Sequence, residues 1–328
     1  MRNKNIFILS VGRRVELVKL FNRAKKKLSI NGKIIGGDMD LNAPAMHFVD
    51  KAIQLPKITD KNYIDEIIKI SKQEKIDLII PTIDTELLIL AQNRDRIEKE
   101  TNVKINLSDL EFIEICRDKY KTQEFFEKNG FGVPKLITKQ MIAENNYTFP
   151  LFIKPLNGSS SINTFKINTQ KELEFFKDYV PNPLIQECLV GDEFTVDVFC
   201  DFENNPITIV PRKRLATRSG EISKGLISKD REIIEDIKKL VKVFKVKGHI
   251  TIQCMKTKDG IKYIEINPRF GGGAPMSIMA GADSPENLYK LLLNEKLFYN
   301  ENYEDKLLSL RYDEAVFISE NGNVIKNV

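Results

Sequence analysis

Two hydrophobic rhythms divide this chain of 328 residues. The first alternates short apolar runs with amphipathic stretches. NIFILSVGRR opens with a continuous apolar run and predicts a buried parallel strand followed by a turn. VELVKLFNRAKKKL then repeats its apolar residues at helical spacing. KIIGGDMD predicts a second short strand ending in Asp38, NYIDEIIKISKQEK a helix, and IDLIIPTID a third strand running to Asp84. Strand–helix alternation of this kind implies a parallel sheet with helices on both faces. Ligands on such sheets gather beyond the carboxyl ends of the strands, where Gly12, Arg13, Asp38, Asp84 and Glu86 fall. Asp38 stands where a ribose-binding acid of a dinucleotide site would. However, VGRRVEL has one glycine where G-x-G-x-x-G needs three, so a nicotinamide cofactor is not expected. Asp84 and Glu86 read either as contacts to a substrate amine or, preferably, as a helix N-cap and a first-turn acid.

From about Leu110 the pattern changes. CRDKYKTQEFFEKNGFGVPK predicts a helix stopped by Gly130 and an extended lead through Val133 and Pro134. In TFPLFIKPLNGSSSINTFKI an apolar strand ends at Lys154, a Gly/Ser loop follows, and a second strand begins near Ile162. An ammonium at a strand end beside a hydroxyl-rich loop suits phosphate neutralisation, or the segment is an ordinary hairpin loop. It is not a Walker loop, since G-x-x-x-x-G-K-[ST] is absent. NPLIQECLVGDEFTVDVFCD predicts a buried strand to Gln186 and Glu187, a connector to Gly191, and an alternating, half-exposed strand. ITIVPRKRLATRSGEISKGLI carries Arg212, Lys213, Arg214, Arg218 and Lys224. These bases form either a solvated strand and loop or, preferably, an anion-binding arm.

The most informative stretch is the hairpin GHITIQCM–KTKDG–KYIEINPRF, followed by three glycines, Gly271 to Gly273. Alternation points Glu265 and Asn267 to one side of their strand, and Gln253 can join them from the neighbouring strand. Oxygen ligands with few fixed charges suit a divalent cation shared with nucleotide phosphates. Arg269 at the strand end could stabilise charge on a transferring phosphoryl group. The plainer alternative is an amphipathic edge hairpin with solvated polar groups. Three consecutive glycines weigh against it, because they forgo side-chain packing and carry a backbone entropy cost.

Gln-x11-Glu-x-Asn-Pro-Arg resembles the metal-binding strand pair of the ATP-grasp superfamily, and the amide in its first position is similar to the carbamoyl phosphate synthetase large-subunit branch. The resemblance covers nearly the whole chain. It implies an α/β and α+β architecture: a pre-ATP-grasp, Rossmann-like α/β domain over residues 1–110, an ATP-grasp small lobe over 111–185 and a large lobe over 186–328. Carried onto this sequence, it implies metal ligation by Gln253, Glu265 and Asn267, and catalytic roles for Arg269 and Lys154. ATP phosphates would meet Lys119, Lys154 and the loop Gly158, Ser159, Ser160 and Ser161. The backbone of Glu187, Cys188 and Leu189 would pair with adenine, with Gln186 or Glu187 receiving the exocyclic amine and Glu193 at the ribose. Arg13, Arg214 and Arg218 are the expected substrate contacts. Arg13 reads equally as a solvated helix-start arginine, and Lys119 otherwise passes as surface. The implied cofactors are ATP and Mg2+, or Mn2+ in its place.

Composition narrows the partners. Lys and Arg total 51 against 46 Asp and Glu, for a net charge of +5, and the bases lack interleaved aromatics, so no nucleic acid is expected. No apolar run approaches membrane-spanning length and no signal peptide is read, which leads to a cytoplasmic expectation. Cys116, Cys188, Cys200 and Cys254 lack metal-ligand spacing and read as reduced core thiols. The two histidines, His47 and His249, are too few for a multi-histidine centre. The resemblance thus implies ATP-dependent joining of a small-molecule carboxylate to an amine through an acyl-phosphate. Two alternatives stand beside it: carbamoyl-phosphate-type phosphorylation of a small carboxylate, disfavoured by the lack of a second repeat or amidotransferase segment, and non-catalytic ATP binding. A homodimer is a common assembly for such a chain.

Overall fold

The computed structural model describes residues 3–156, 162–322 and 324–325. Its N-terminal part contains β1 (Asn5–Leu9), α1 (Val15–Lys27), β2 (Ile34–Asp38), β3 (Lys51–Gln54), α2 (Tyr63–Gln73), β4 (Ile76–Pro81), α3 (Asp84–Gln92), α4 (Arg94–Thr101) and β5 (Lys104–Ile105). The sheet is parallel with order β3-β2-β1-β4-β5. Three of these strands are predicted by apolar runs. The edge strands β3 and β5 escape that reading, because β3 is a largely exposed KAIQ and β5 has two residues. Side chains alternate across β1: Phe7 and Leu9 enter one buried cluster, Ile6 and Ile8 another.

The next segment holds α5 (Leu110–Arg117), α6 (Lys119–Lys128), α7 (Lys139–Ala143), β6 (Leu151–Pro155), β7 (Phe165–Ile167), α8 (Gln170–Tyr179) and β8 (Pro183–Glu187). The single helix expected around residues 116–129 is broken at Asp118, whose extended backbone and side chain cap α6 by accepting from Tyr120 N and Lys121 N. Gly130 stops α6 as expected: its φ of +77° lets Phe131 N reach back to Phe126 O. The antiparallel sheet has order β7-β6-β8 and its own core of Ile137, Leu151, Ile153, Leu173 and Ile185. The strand expected near Ile162 begins at Phe165.

The remainder builds β9 (Gly191–Cys200), β10 (Pro206–Arg218), β11 (Glu221–Ile227), α9 (Arg231–Phe244), β12 (Gly248–Thr257), β13 (Gly260–Asn267), α10 (Ala274–Met279), α11 (Ser284–Leu292) and β14 (Leu308–Leu310), then a small pair, β15 (Phe317–Ile318) and β16 (Val324–Ile325). The large antiparallel sheet has order β13-β12-β9-β10-β11-β14. α5 and α6, expected in the small lobe, pack on this sheet instead. Phe126 stacks on Tyr263 at 4.8 Å between centroids, and Phe112 meets Phe244 edge-on at 5.0 Å. The parallel and large sheets share both clusters: Phe7 and Leu9 lie in the same core as Val196 and Ile252, while Ile6 and Ile8 join Phe199 and Ile207. The small sheet's core is separate, which leaves it the element with fewest apolar ties to the rest. Among the described residues no helix is long and apolar enough to cross a membrane.

Helix α9 buries Ile233, Ile234, Ile237, Leu240, Val241 and Phe244, an i, i+1, i+4, i+7, i+8, i+11 stripe. Ile237 is fully buried in the shared core. Replacing it with Ala is expected to cost about 2–5 kcal/mol, read as a lowered urea midpoint with an unchanged slope.

Candidate active site

The hairpin β12–β13 sets the site. Thr251 pairs with Asn267 and Gln253 with Glu265, after which the register slips and Cys254 faces Tyr263. Ile264 is therefore an extra residue on β13, a bulge that separates the Gln253–Glu265 face from the aromatic core below. Directly opposed residues share a face, so Gln253 joins Glu265 and Asn267. Asn267 Nδ2 donates to Glu265 Oε1 at 3.0 Å, and Gln253 Nε2 donates to Glu193 Oε1 at 2.5 Å. Among the described residues no group of three or more His, Cys, Asp or Glu is placed to hold a metal. A cation at Glu265 would thus rest on one carboxylate plus amide oxygens and would need ligands from elsewhere, which suits Mg2+ shared with phosphates.

The glycine run is demanded by close approach. A Cβ on Gly271 would lie 2.8 Å from Thr251 Oγ1, one on Gly272 2.4 Å from Glu221 Oε1, and one on Gly273 2.1 Å from Arg212 Nη1. Beneath it lies a buried polar network. Asp197 accepts from Arg212 Nη2 at 2.8 Å, Thr251 Oγ1 at 2.9 Å and Ser277 Oγ at 2.6 Å. His249 Nε2 is 3.6 Å from Asp197, its Nδ1 contacts Ser284 Oγ at 3.0 Å, and its ring stacks on Phe270. Burial alone would raise the Asp197 pKa; the charge of Arg212 and the hydrogen-bonding groups around the carboxyl outweigh it and hold it well below its usual range. His249 therefore serves packing and this network.

Two cavities meet at the hairpin. The larger, about 590 Å3, lies between the parallel sheet, the glycine run and β10–β11. The smaller, about 400 Å3, lies between the small sheet and the large one. Lys119, Arg214, Gln253 and Glu265 line both. Arg269 opens onto the larger cavity and is locked: Nε and Nη2 donate to Asp84 Oδ2, Nη1 to Phe270 O and Nη2 to Asn267 Oδ1. Asp84 is thus a first-turn acid of α3 and not its N-cap, and it anchors Arg269 to the parallel sheet. Glu86 is fully buried, accepts from Ser10 Oγ at 2.7 Å and Tyr63 OH, and is pushed up to about 7 by burial. It does not line either cavity.

The expected nucleotide contacts largely gather around the smaller cavity. Lys154 lies at the end of β6, 7% exposed, its pKa pushed down to about 8 by burial against the opposing pull of Glu265. Lys119 Nζ donates to Pro155 O at 3.0 Å and Leu156 O at 2.8 Å, tying α6 to the strand end. The expected loop of Gly158, Ser159, Ser160 and Ser161 lies outside the described residues. Gln186, Glu187, Cys188, Leu189 and Glu193 all line the cavity, but two side chains are committed. Gln186 Nε2 donates to Gln123 Oε1 at 2.7 Å, which fixes its amide, and Glu187 Oε1 accepts from Lys135 N at 2.9 Å. Glu187 N and Cys188 N are likewise donated, to Lys135 O and Pro150 O. Glu193 is shared between Gln253 and Arg214 Nε, the latter at 3.2 Å. Cys116 and Cys188 line the cavities and are half-buried, unlike the fully buried Cys200 and Cys254, so the expectation of four core thiols holds for two.

The expected substrate arginines divide. Arg214 lines both cavities, with Nη2 donating to Gly220 O at 2.9 Å. Arg218 does not: β10 shifts register beyond Arg214, and the exposed Arg218 makes a two-pronged pair with Asp313. Arg13 is exposed and outside the lining; its neighbour Arg14 faces the larger cavity instead. Sequence reading named Asp84 and Arg212 as candidates without their partners and did not assign Arg14 or Glu221. The RR doublet was a visible signal for Arg14. Glu221 had none, its Arg14 partner being 207 positions away.

This combination of a parallel sheet, a small antiparallel lobe and a large one bearing the Gln253–Glu265 hairpin defines an ATP-grasp architecture. Residues 6–105 match the family described as PylC-like, N-terminal domain, and residues 179–314 match the ATP-grasp family in the biosynthetic pathway with Ter operon. The chain thus carries a PylC-like N-terminal domain followed by an ATP-grasp domain. It is 27% identical over 285 residues to the 3-methyl-D-ornithine–L-lysine ligase of Methanosarcina mazei, covering 82% of this chain and 71% of that protein. It is 24% identical over 295 residues to the carbamoyl phosphate synthase large chain of Clostridium beijerinckii, covering 84% of this chain but spanning 27% of that protein's length. The biotin carboxylase domain of the Hydrogenobacter thermophilus 2-oxoglutarate carboxylase, solved with MgADP, ADP and bicarbonate, superimposes with a TM-score of 0.70 at 16% identity, over 92% of this chain and 72% of that one; at such identity the likeness establishes the fold.

Gly273→Ala places a methyl group on Arg212 Nη1 and is expected to destabilise the protein by about 1–3 kcal/mol. The check is chemical denaturation; a midpoint equal to wild type contradicts the close-approach account.

Proposed function

We propose that the chain is an ADP-forming carbon–nitrogen ligase that activates a small carboxylate with ATP and passes it to an amine. The observation that carries this reading is the meeting of two cavities at Gln253 and Glu265, one bordered by the Glu187–Leu189 hinge and Lys154, the other by arginines. The first has the borders of a nucleotide site, the second those of a site for acidic substrates. With Glu187 N and Cys188 N already donated, Leu189 N is the hinge donor that remains for adenine. Glu193 borders the ribose, and Lys154 and Lys119 face the phosphates.

Glu265, Asn267 and Gln253 would hold Mg2+, which supplies charge neutralisation at the phosphates when bound. A substrate carboxylate oxygen attacks the γ-phosphorus, the bond to ADP breaks, and an acyl-phosphate forms. The amine nitrogen then attacks the acyl carbon, inorganic phosphate leaves, and the nitrogen loses a proton to give the amide. Lys154 and Arg269 offset the negative charge that grows during transfer. Arg269 does so from a fixed position, since Asp84 and Asn267 orient it in advance. No covalent enzyme intermediate is required.

The test is ADP release with Mg-ATP across a matrix of carboxylic acids and amines, with Glu265→Ala as the blank. Release that needs one acid and one amine is expected; ATP binding with no release from any pair would favour a nucleotide-binding module. Glu265→Ala itself is expected to lose at least about a thousandfold in rate while keeping its circular dichroism, and wild-type-like turnover in the folded variant would remove Glu265 from the metal site.

Lys154 gives a pH dependence. Its pKa of about 8 in the free protein leaves the ammonium largely charged below that pH and neutral above it. A bound phosphate raises that pKa again. Nucleotide binding near pH 8 to 9 is therefore expected to take up a proton, with affinity falling as pH rises through about 8. Calorimetry in buffers of different ionisation enthalpy measures this; binding heats independent of buffer would contradict it.

A further inference from the structure

One carboxylate in the larger cavity serves two guanidiniums. Arg14 Nη1 lies 3.3 Å from Glu221 Oε1, while Glu221 Oε2 accepts from Arg311 Nη1 at 2.9 Å. The cluster therefore carries one uncompensated positive charge. The Glu221 carboxyl is packed on Gly272, where a Cβ would fall 2.4 Å from Oε1. The other cavity arginines are engaged with the protein: Arg269 with Asp84, Arg212 with Asp197, Arg214 with Glu193 and Gly220 O, and Arg117 with the backbone carbonyl of Asp84. Burial and the charges of Arg269 and Arg311 push the Arg14 pKa down despite Glu221, so an added anion relieves the cluster. Size points the same way. At about 30 Å3 for a water-sized molecule, a cavity of about 590 Å3 is far larger than ammonia or bicarbonate requires.

We infer that a substrate in the larger cavity carries a carboxylate that takes no part in the reaction, and that Arg14 binds it. The chain then joins substrates of the amino-acid or dicarboxylic-acid class rather than ammonia or bicarbonate. The inference rests on the ligase reading for its chemistry, but the carboxylate site itself can be tested without turnover. Arg14 binds the substrate away from the reacting atoms, so it determines specificity, and its loss should appear in KM far more than in kcat.

The first arm titrates the protein, with Mg2+ and a non-hydrolysable ATP analogue present, with L-lysine, L-glutamate and glutarate and with their carboxamides. At least one acid is expected to bind about tenfold to a hundredfold more tightly than its amide, and Arg14→Met should abolish that difference. Discrimination by the wild type needs no variant, so a folding defect in Arg14→Met does not spoil the comparison; Arg14→Lys should keep part of it. The second arm repeats the comparison in turnover, replacing the carboxylate by carboxamide first on the amine substrate and then on the acid, which tells which of the two Arg14 holds. Acid-over-amide discrimination without ADP release with any pair would support the Arg14 site while overturning the ligase reading. Efficient ADP release with ammonium and bicarbonate, or equal use of acids and amides, would overturn the inference while leaving ATP-dependent chemistry in place. No discrimination by the wild type in either arm also overturns it.

Discussion

Pairing of Gln253 with Glu265, one step before the strands slip at Ile264, determines where every other site group stands. A one-residue shift would turn Glu265 and Asn267 into the aromatic core that Tyr263 now occupies with Phe126 and Phe131. The register is held from both sides. Below, Tyr263 is buried among aromatics and its hydroxyl donates to Asp236 at 2.8 Å. Beyond, β12 pairs without a break along β9, which brings Gln253 beside Thr195 and Thr251 beside Asp197. The polar face is thus a consequence of how the apolar face packs.

Two bridges then fix that hairpin to the rest of the molecule. Arg269 joins the end of β13 to Asp84 at the start of α3, so the parallel sheet and the β12–β13 hairpin share a wall of the larger cavity. Arg212 and Asp197 form a fully buried pair under the glycine run. Such a pair contributes little net stability on its own, and breaking it by removing one partner is far more damaging. Its consequence here is geometric: it sets the height of the floor and admits only glycine above it. The small sheet, by contrast, has a separate core and borders the smaller cavity through Lys154 and the Glu187–Leu189 segment.

Much of this was legible in the sequence because it rests on short periodicities. Alternation placed Glu265 and Asn267 on one face, apolar runs marked three of five parallel strands, and the glycine run weighed against a plain edge hairpin. What was not legible depended on contacts between distant positions or on one-residue differences in direction. Arg13 and Arg14 are equivalent as letters, but only the second turns toward the cavity. Arg218 looked like part of a basic arm until its strand shifted register and gave it to Asp313. Gln186 and Glu187 also hold contacts that spacing does not show, to Gln123 and to the backbone of Lys135. Asp118 broke a helix that spacing alone would have continued, since a capping side chain competes with the helix for the same backbone donors.

The account makes the junction of the two cavities the place where a substrate carboxylate meets the γ-phosphate. The most direct measurement follows oxygen: a substrate acid labelled with heavy oxygen in its carboxyl group, turned over with Mg-ATP and its amine, and the released phosphate read by phosphorus NMR. Passage through an acyl-phosphate leaves one labelled oxygen in each inorganic phosphate. Unlabelled phosphate, or AMP and pyrophosphate in place of ADP, would contradict the account.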